Sequence, residues 1–335
     1  MEDCFFVLDL KFGIQTNGIK HTYKDPMPDV ETRFRMVKES GVFDYVDKTP
    51  EISEVKDFKK YSQKYGLPVR AGGWFYEIGN HRDLLKNNFE IARELGSSIH
   101  NTQILYTKSN GQLATDLDIK DTYIEAYELG SKYGVTPCFE IHVNMWSEDF
   151  LRVSRVGKLV ENEGVEFNIT LDHSHVIFKI NNPQEQKKYN IDKQINSGKL
   201  VLDPFSEDNI VKEWINFGWV KHCHARSVIP NNPLNIYAKH PDGTIGRGIQ
   251  YPFQKPKNNE YHEKWDVKLL EPWKECIKTL MKYHLQDKTS KLRQISTEFI
   301  PNTDYGEGCR YSLFEQGVEC TKWMRKTWKK IKEKF

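Results

Sequence analysis

This chain has no apolar run long enough to span a membrane. It has no excess of charge: 49 Lys and Arg stand against 47 Asp and Glu, a formal balance of +2. That excludes the broad basic field of a nucleic-acid binder and the acidic block of a charged tail. The six cysteines (Cys4, Cys138, Cys223, Cys276, Cys309 and Cys320) include no CxxC pair and are irregularly spaced. A disulfide scaffold is therefore not expected in a chain of this size, and reduced thiols in the cytoplasm fit the pattern. Met1-Glu2-Asp3-Cys4 lacks a basic leader region, and the apolar stretch after it breaks at Asp9 and Lys11. No glycine-rich phosphate loop follows the first strand, and Gly72-Gly73 is too short to be one. A doubly wound nucleotide-binding sheet is set aside on that ground.

What is present is a strand–helix alternation from end to end. Strands are expected near 12–15, 42–46, 69–74, 98–104, 136–143, 166–172, 219–224 and 294–299. Helices are expected between them, and Gly41, Gly66, Gly96, Gly134 and Gly164 mark the ends of the early ones. Eight β-then-α units predict an α/β fold, a (β/α)₈ TIM barrel, with residues 1–335 as one domain. The basic run from Lys322 to Lys334 is interleaved with Trp323, Met324, Trp328, Ile331 and Phe335, which reads as a last amphipathic helix with a solvated Lys face. Residues 227–264 break the rhythm with five prolines and with Gly243, Gly246 and Gly248. A long segment of this kind after the seventh strand is expected on the catalytic face, as a lid or partner contact.

Four strand-like runs carry polar residues that are expensive inside a sheet unless paired or ligated. They are Cys138-Phe139-Glu140-Ile141-His142, Leu171-Asp172-His173-Ser174-His175, Lys221-His222-Cys223-His224-Ala225-Arg226 and Ser296-Thr297-Glu298-Phe299. Five of the eleven histidines lie in the first three. Glu140, Asp172, His224 and Glu298 each fall at a strand C-terminal end, where barrel strands point into one mouth. Three carboxylates and an imidazole, with no thiolate, suit one divalent ion, Mn²⁺ first, with Mg²⁺ or Co²⁺ as alternatives. His142, two residues after Glu140, is expected on the same side and is a candidate base. His222 precedes His224 by two and is a candidate substrate contact or support for the ligands. His173 is expected to face away. Arg226 and Arg247 are candidates to bind a hydroxyl or carboxylate, and Trp74 to stack on a sugar; Phe75, Trp146 and Phe299 read as stacking or core residues.

The ordered set strongly resembles the xylose isomerase-like TIM barrels, the family of sugar isomerases, ketose 3-epimerases and endonuclease IV. In that family the fifth strand gives a Glu, the sixth an Asp-x-x-His, the seventh a His and the eighth a Glu, matched here by Glu140, Asp172 with His175, His224 and Glu298. The resemblance implies a substrate contact for His175. The three-zinc nuclease branch is not matched: the third strand has no His, and after the seventh strand there is His240-Pro241-Asp242 but no Asp-x-His. His100 alone matches on the fourth. Glu140-x-His142, the Asp-His-Ser-His run and the long loop resemble more narrowly the large subunit of bacterial C-glycoside deglycosidases, which pairs with a small β-rich subunit.

The shared chemistry implied is proton abstraction next to a carbonyl. Three readings follow. The first is C-glycoside deglycosidation of a 3-oxo-glycoside, with His142 removing a proton and the aglycone leaving by elimination. The second is a sugar isomerase or ketose 3-epimerase, with Glu140 and Glu298 as the acid–base pair. The third is a catalytically idle binding subunit, which predicts no bound metal. The expected partners are a sugar or glycoside and a second subunit in an oligomer, without nucleic acid or membrane.

Overall fold

A computed structural model describes residues 9–231 and 233–334. Cys4, the rest of the segment 1–8 and Phe335 lie outside the described residues, so the readings placed on them are left there. Eight parallel strands close into one barrel: β1 (Lys11–Gln15), β2 (Tyr45–Asp47), β3 (Val69–Tyr76), β4 (Ile99–Ile104), β5 (Thr136–Glu140), β6 (Ile169–Asp172), β7 (Val220–Ala225) and β10 (Gln294–Thr297). β1 pairs with both β2 and β10, which closes the ring. Two further strands, β8 (Asn235–Lys239) and β9 (Ile245–Gly246), form a separate antiparallel hairpin. All eight expected barrel strands are found, so the expected (β/α)₈ class holds.

The local reasons are in the sequence. Gly41, Gly66, Gly96 and Gly134 cap their helices in the left-handed conformation, with φ from 61° to 78°. That region carries a steric penalty for other residues. Thr115 and Asp118 form a reciprocal capping box at the start of the helix Asp116–Tyr133. The last helix, Leu313–Lys332, buries Met324, Trp328 and Ile331 and leaves Lys326, Lys329 and Lys330 exposed, as its spacing predicts. Among the described residues no helix is long and apolar enough to cross a membrane.

Helices and sheet meet through close contacts. Gly157 lies against the indole of Trp219, itself wedged between Phe167 and Phe217. Gly13 leaves room inside the barrel for the ring of Tyr45, whose hydroxyl bonds Ser296 Oγ at 2.8 Å.

The segment 227–264, expected as a lid or partner contact, carries regular structure of its own. Pro241-Asp242-Gly243 is a turn sequence, and it closes the β8–β9 hairpin. Asn235 donates from Nδ2 to the carbonyls of Thr303 and Glu307, and His240 bonds Asp304 at 2.8 Å. The segment is thereby strapped to the loop that follows β10.

A Cβ on Gly157 would stand 2.4 Å from the Trp219 ring. Gly157→Ala is expected to destabilise the fold by about 1–3 kcal/mol through overpacking, seen as a lower urea midpoint at unchanged slope.

Candidate metal centre

Parallel strands deliver their C-terminal residues to one mouth, and there the four expected ligands meet. One donor atom from each of Glu140, Asp172, His224 and Glu298 lies within 4.8 Å of the others, all four side chains buried. Adjacent register explains part of this: Asp172 on β6 and Ser296 on β10 both face His224 on β7. His224 Nδ1 sits 2.9 Å from Glu140 Oε1 and 3.4 Å from Glu298 Oε2. Glu140 also accepts from Asn101 Nδ2 at 2.6 Å and from the Gln103 amide. Hard oxygen donors and one imidazole, converging without a thiolate, fit a divalent cation.

Arg226 is the cation these carboxylates now share. Its Nη1 donates to Glu298 at 3.0 Å and its Nη2 to Asp172, with the guanidinium fully buried over the Tyr305 ring. His175 Nε2 accepts from the same Nη2 at 3.0 Å. Burial drops the His175 pKa to about 3, so its ring is neutral. Burial pushes Glu298 up to about 7, against the pull of His224 and Arg226. Glu140 falls to about 2 although burial opposes it, because His224 lies beside it. His224 itself is raised despite burial, by Glu298 and Glu140.

A second cluster, Asp47 with His222 and His224, lies deeper in the barrel. Asp47 accepts from Ser296 Oγ at 2.7 Å and bonds His222 Nε2 at 3.0 Å. It approaches His224 Nε2 at 3.4 Å. A carboxylate on the far nitrogen of a ligating histidine fixes its tautomer and ring orientation.

Above the four groups is a cavity of about 280 Å³. Trp74, Phe75, His142, His224, Arg226 and Glu298 line it. The His142 ring is tilted against that of His175, with centroids 4.2 Å apart. Its Nδ1 donates to the Val143 carbonyl at 2.5 Å, and its Nε2 accepts from the Tyr305 hydroxyl at 3.4 Å. Burial lowers its pKa, so the ring is neutral at pH 7. The turn that carries it is fixed by Ser147, whose Oγ donates to the Glu140 carbonyl and accepts from the His142 amide.

Three expected substrate contacts do not reach the cavity wall. His175 is behind Asp172, and His222 is inside the barrel on Asp47. Arg247 is corrected most clearly: its guanidinium is held by Glu148 at 2.8 Å and Glu185 at 2.5 Å, in a buried cluster with Lys179. Spacing alone could not show those acceptors. Trp146 and Phe299 are core residues, each 1% exposed. His173 faces away, stacked on Trp273, and His100 bonds the Tyr76 hydroxyl at 2.7 Å behind the sheet. Sequence reasoning missed Asp47, Lys48, Asn101 and Gln103. Asp47 carries the same signal as the others, a charge ending an apolar strand, but the second strand was expected to stop at Val46.

No family model matches the sequence, and no curated protein matches it. Solved structures do. An L-ribulose 3-epimerase is 10% identical over 97% of each chain, with a TM-score of 0.56. The 3-keto-D-glucoside 4-epimerase YcjR from E. coli is 13% identical, covering 95% of this chain and all of its own, at 0.51. The IolI protein with a bound zinc atom is 14% identical over 96% and 99%, at 0.54. The fold is thus the closed eight-stranded barrel that these proteins share. At these identities the likeness is one of fold.

The Glu148–Lys179–Glu185–Arg247 cluster ties the segment after β7 to the turns after β5 and β6. Glu148 is held down at about 2, burial opposing, by Lys179 and Arg247. A depressed carboxylate stabilises fully above its unfolded pKa and loses that contribution as pH falls through the folded value. Wild type is therefore expected to lose stability between roughly pH 4.5 and 2, with a shallower loss in Glu148→Gln. Lys179→Met should cost about 3 kcal/mol at pH 7 by leaving two buried carboxylates to share the Arg247 guanidinium, read by urea unfolding.

Proposed function

We propose that this chain is a divalent-metal-dependent enzyme that moves a proton at a carbon next to the carbonyl of a free sugar, as an isomerase or ketose epimerase. The observation that carries this reading is the convergence of Glu140, Asp172, His224 and Glu298 beneath a cavity at the C-terminal mouth of the barrel. Mn²⁺ is the proposed ion, with Mg²⁺ or Co²⁺ as alternatives; once bound, it would stabilise negative charge developing on the substrate oxygens.

The chain's own groups do the rest. Glu298 comes from beyond β10 and lines the cavity, while Glu140 comes from β5 and is oriented by Asn101 and Gln103. Two carboxylates from different strands can take a proton from one face of a carbon and return it to the other. Trp74 and Phe75 give the cavity an apolar wall against which a sugar ring face packs. The fold shared with sugar epimerases supports the same reading.

A second reading, C-glycoside deglycosidation, has His142 in its favour: a neutral imidazole that lines the cavity. His142 would take the proton and the aglycone would leave by elimination, with a small β-rich subunit completing the enzyme. The volume of about 280 Å³ weighs against it. That size lies at the small end of ligand pockets, with little room for an aglycone.

Solvent-deuterium incorporation into free ketoses, followed by mass spectrometry, separates the readings. Wild type with Mn²⁺ is expected to exchange; EDTA should stop it and added Mn²⁺ restore it. Glu298→Gln should slow exchange by about 10²-fold or more, and His142→Ala much less. Failure of every ketose to exchange, together with His142-dependent cleavage of a 3-oxo-C-glycoside, favours elimination. Protein that takes up no ion is the idle subunit.

A further inference from the structure

The cavity holds a cation that the chemistry above does not use. Lys48 follows Asp47 at the end of β2 and lines the cavity. β2 stands four strands from β6 in either direction around the ring, directly across from Asp172. Among the described residues the hydrogen bond of Lys48 Nζ is to a neutral amide, Asn17 Oδ1, at 3.3 Å. Burial and then the nearby Arg33 pull its ammonium below the usual lysine value, and Glu54, Glu51 and Asp47 oppose this only through space. Other cations of this mouth are matched differently. Arg226 holds Asp172 and Glu298, and Arg247 and Lys179 each hold Glu148 and Glu185. A partly desolvated ammonium without a carboxylate is unfavourable unless an anion arrives to meet it.

We propose that Lys48 is an anion subsite and that the substrate is a sugar acid. Its carboxylate sits against Lys48 and Asn17, and its carbonyl end faces the Glu140–Asp172–His224–Glu298 group. This rests on the reading of the chain as a sugar enzyme and names the substrate class. A carboxylate fits better than a phosphate ester. One uncommitted cation matches a single negative charge, while Arg226 and His224 on the same wall are already held by carboxylates. The cavity volume suits a monosaccharide acid, with Trp74 and Phe75 in its wall.

The test is binding, read from tryptophan fluorescence of the Mn²⁺-loaded protein, since Trp74 lines the cavity. The probes are D-tagatose and D-fructose, the corresponding keto-uronic acids D-tagaturonate and D-fructuronate, and D-tagatose 6-phosphate. Wild type is expected to bind at least one acid about tenfold or more tighter than its parent sugar, the range of a charge-assisted hydrogen bond. The ratio should fall to about one in Lys48→Met and persist in Lys48→Arg. Asn17→Asp sets a fixed carboxylate beside Lys48 and should also remove the preference, which keeps the test decisive if Lys48→Met fails to fold. No acid preference in wild type, a preference that survives Lys48→Met or Asn17→Asp, or tighter binding of the phosphate ester would each overturn the proposal. An acid preference without deuterium exchange leaves this subsite standing and removes the proton-transfer reading. Exchange without an acid preference removes only the subsite.

Discussion

The constraint on which this structure depends is the burial of four carboxylates in one end of a barrel. Asp47, Glu140, Asp172 and Glu298 are all removed from solvent, and an ionised carboxylate in that environment is strongly unfavourable without compensation. The chain compensates in two layers. In the lower, His222, Ser296 and His224 converge on Asp47 and hold it ionised against its burial. In the upper, Arg226 spans Asp172 and Glu298 while His224 and two amides engage Glu140. His224 belongs to both layers, so the orientation of the imidazole at the mouth is set from below by a residue of β2. Arg226 occupies the space between the carboxylates that a bound ion would compete for. Such an ion has to displace or share that guanidinium.

The rest of the fold serves this arrangement. Closure of the ring brings residues from β2, β5, β6, β7 and the end of β10 into a few ångströms, although they are up to 251 positions apart in the chain. The turn after β5 is locked by Ser147 and by Glu148, which accepts from the Asn144 amide at 2.6 Å, with Asn144 at φ 62°. Glu148 continues through Lys179, Glu185 and Arg247 into the segment after β7. One buried ion network therefore ties the turns after β5 and β6 to the strap 227–264, which lies outside the cavity lining.

The barrel was legible because its signals are local. Strand runs, glycine helix caps and the order of Glu140, Asp172, His224 and Glu298 can be read within windows of a few residues. The four ligands stood out because each is a polar residue that ends an apolar run. Asp47 obeys the same rule and was lost to a one-residue error in a strand end. The arginines were not legible. Arg226 and Arg247 look alike as candidates, and what separates them is the acceptors that meet them. Glu148 and Glu185 lie 99 and 62 positions from Arg247. Lys48 gave no signal in the sequence, since its character comes from what fails to pair with it.

The most direct test of the central claim is a Mn²⁺ anomalous difference map from crystals of the wild-type protein grown with that ion. The account predicts one peak within bonding distance of Glu140, Asp172, His224 and Glu298, with the Arg226 guanidinium drawn back from Asp172. A map with no peak there, or with the ion seated on Asp47, His222 and His224 instead, would contradict it.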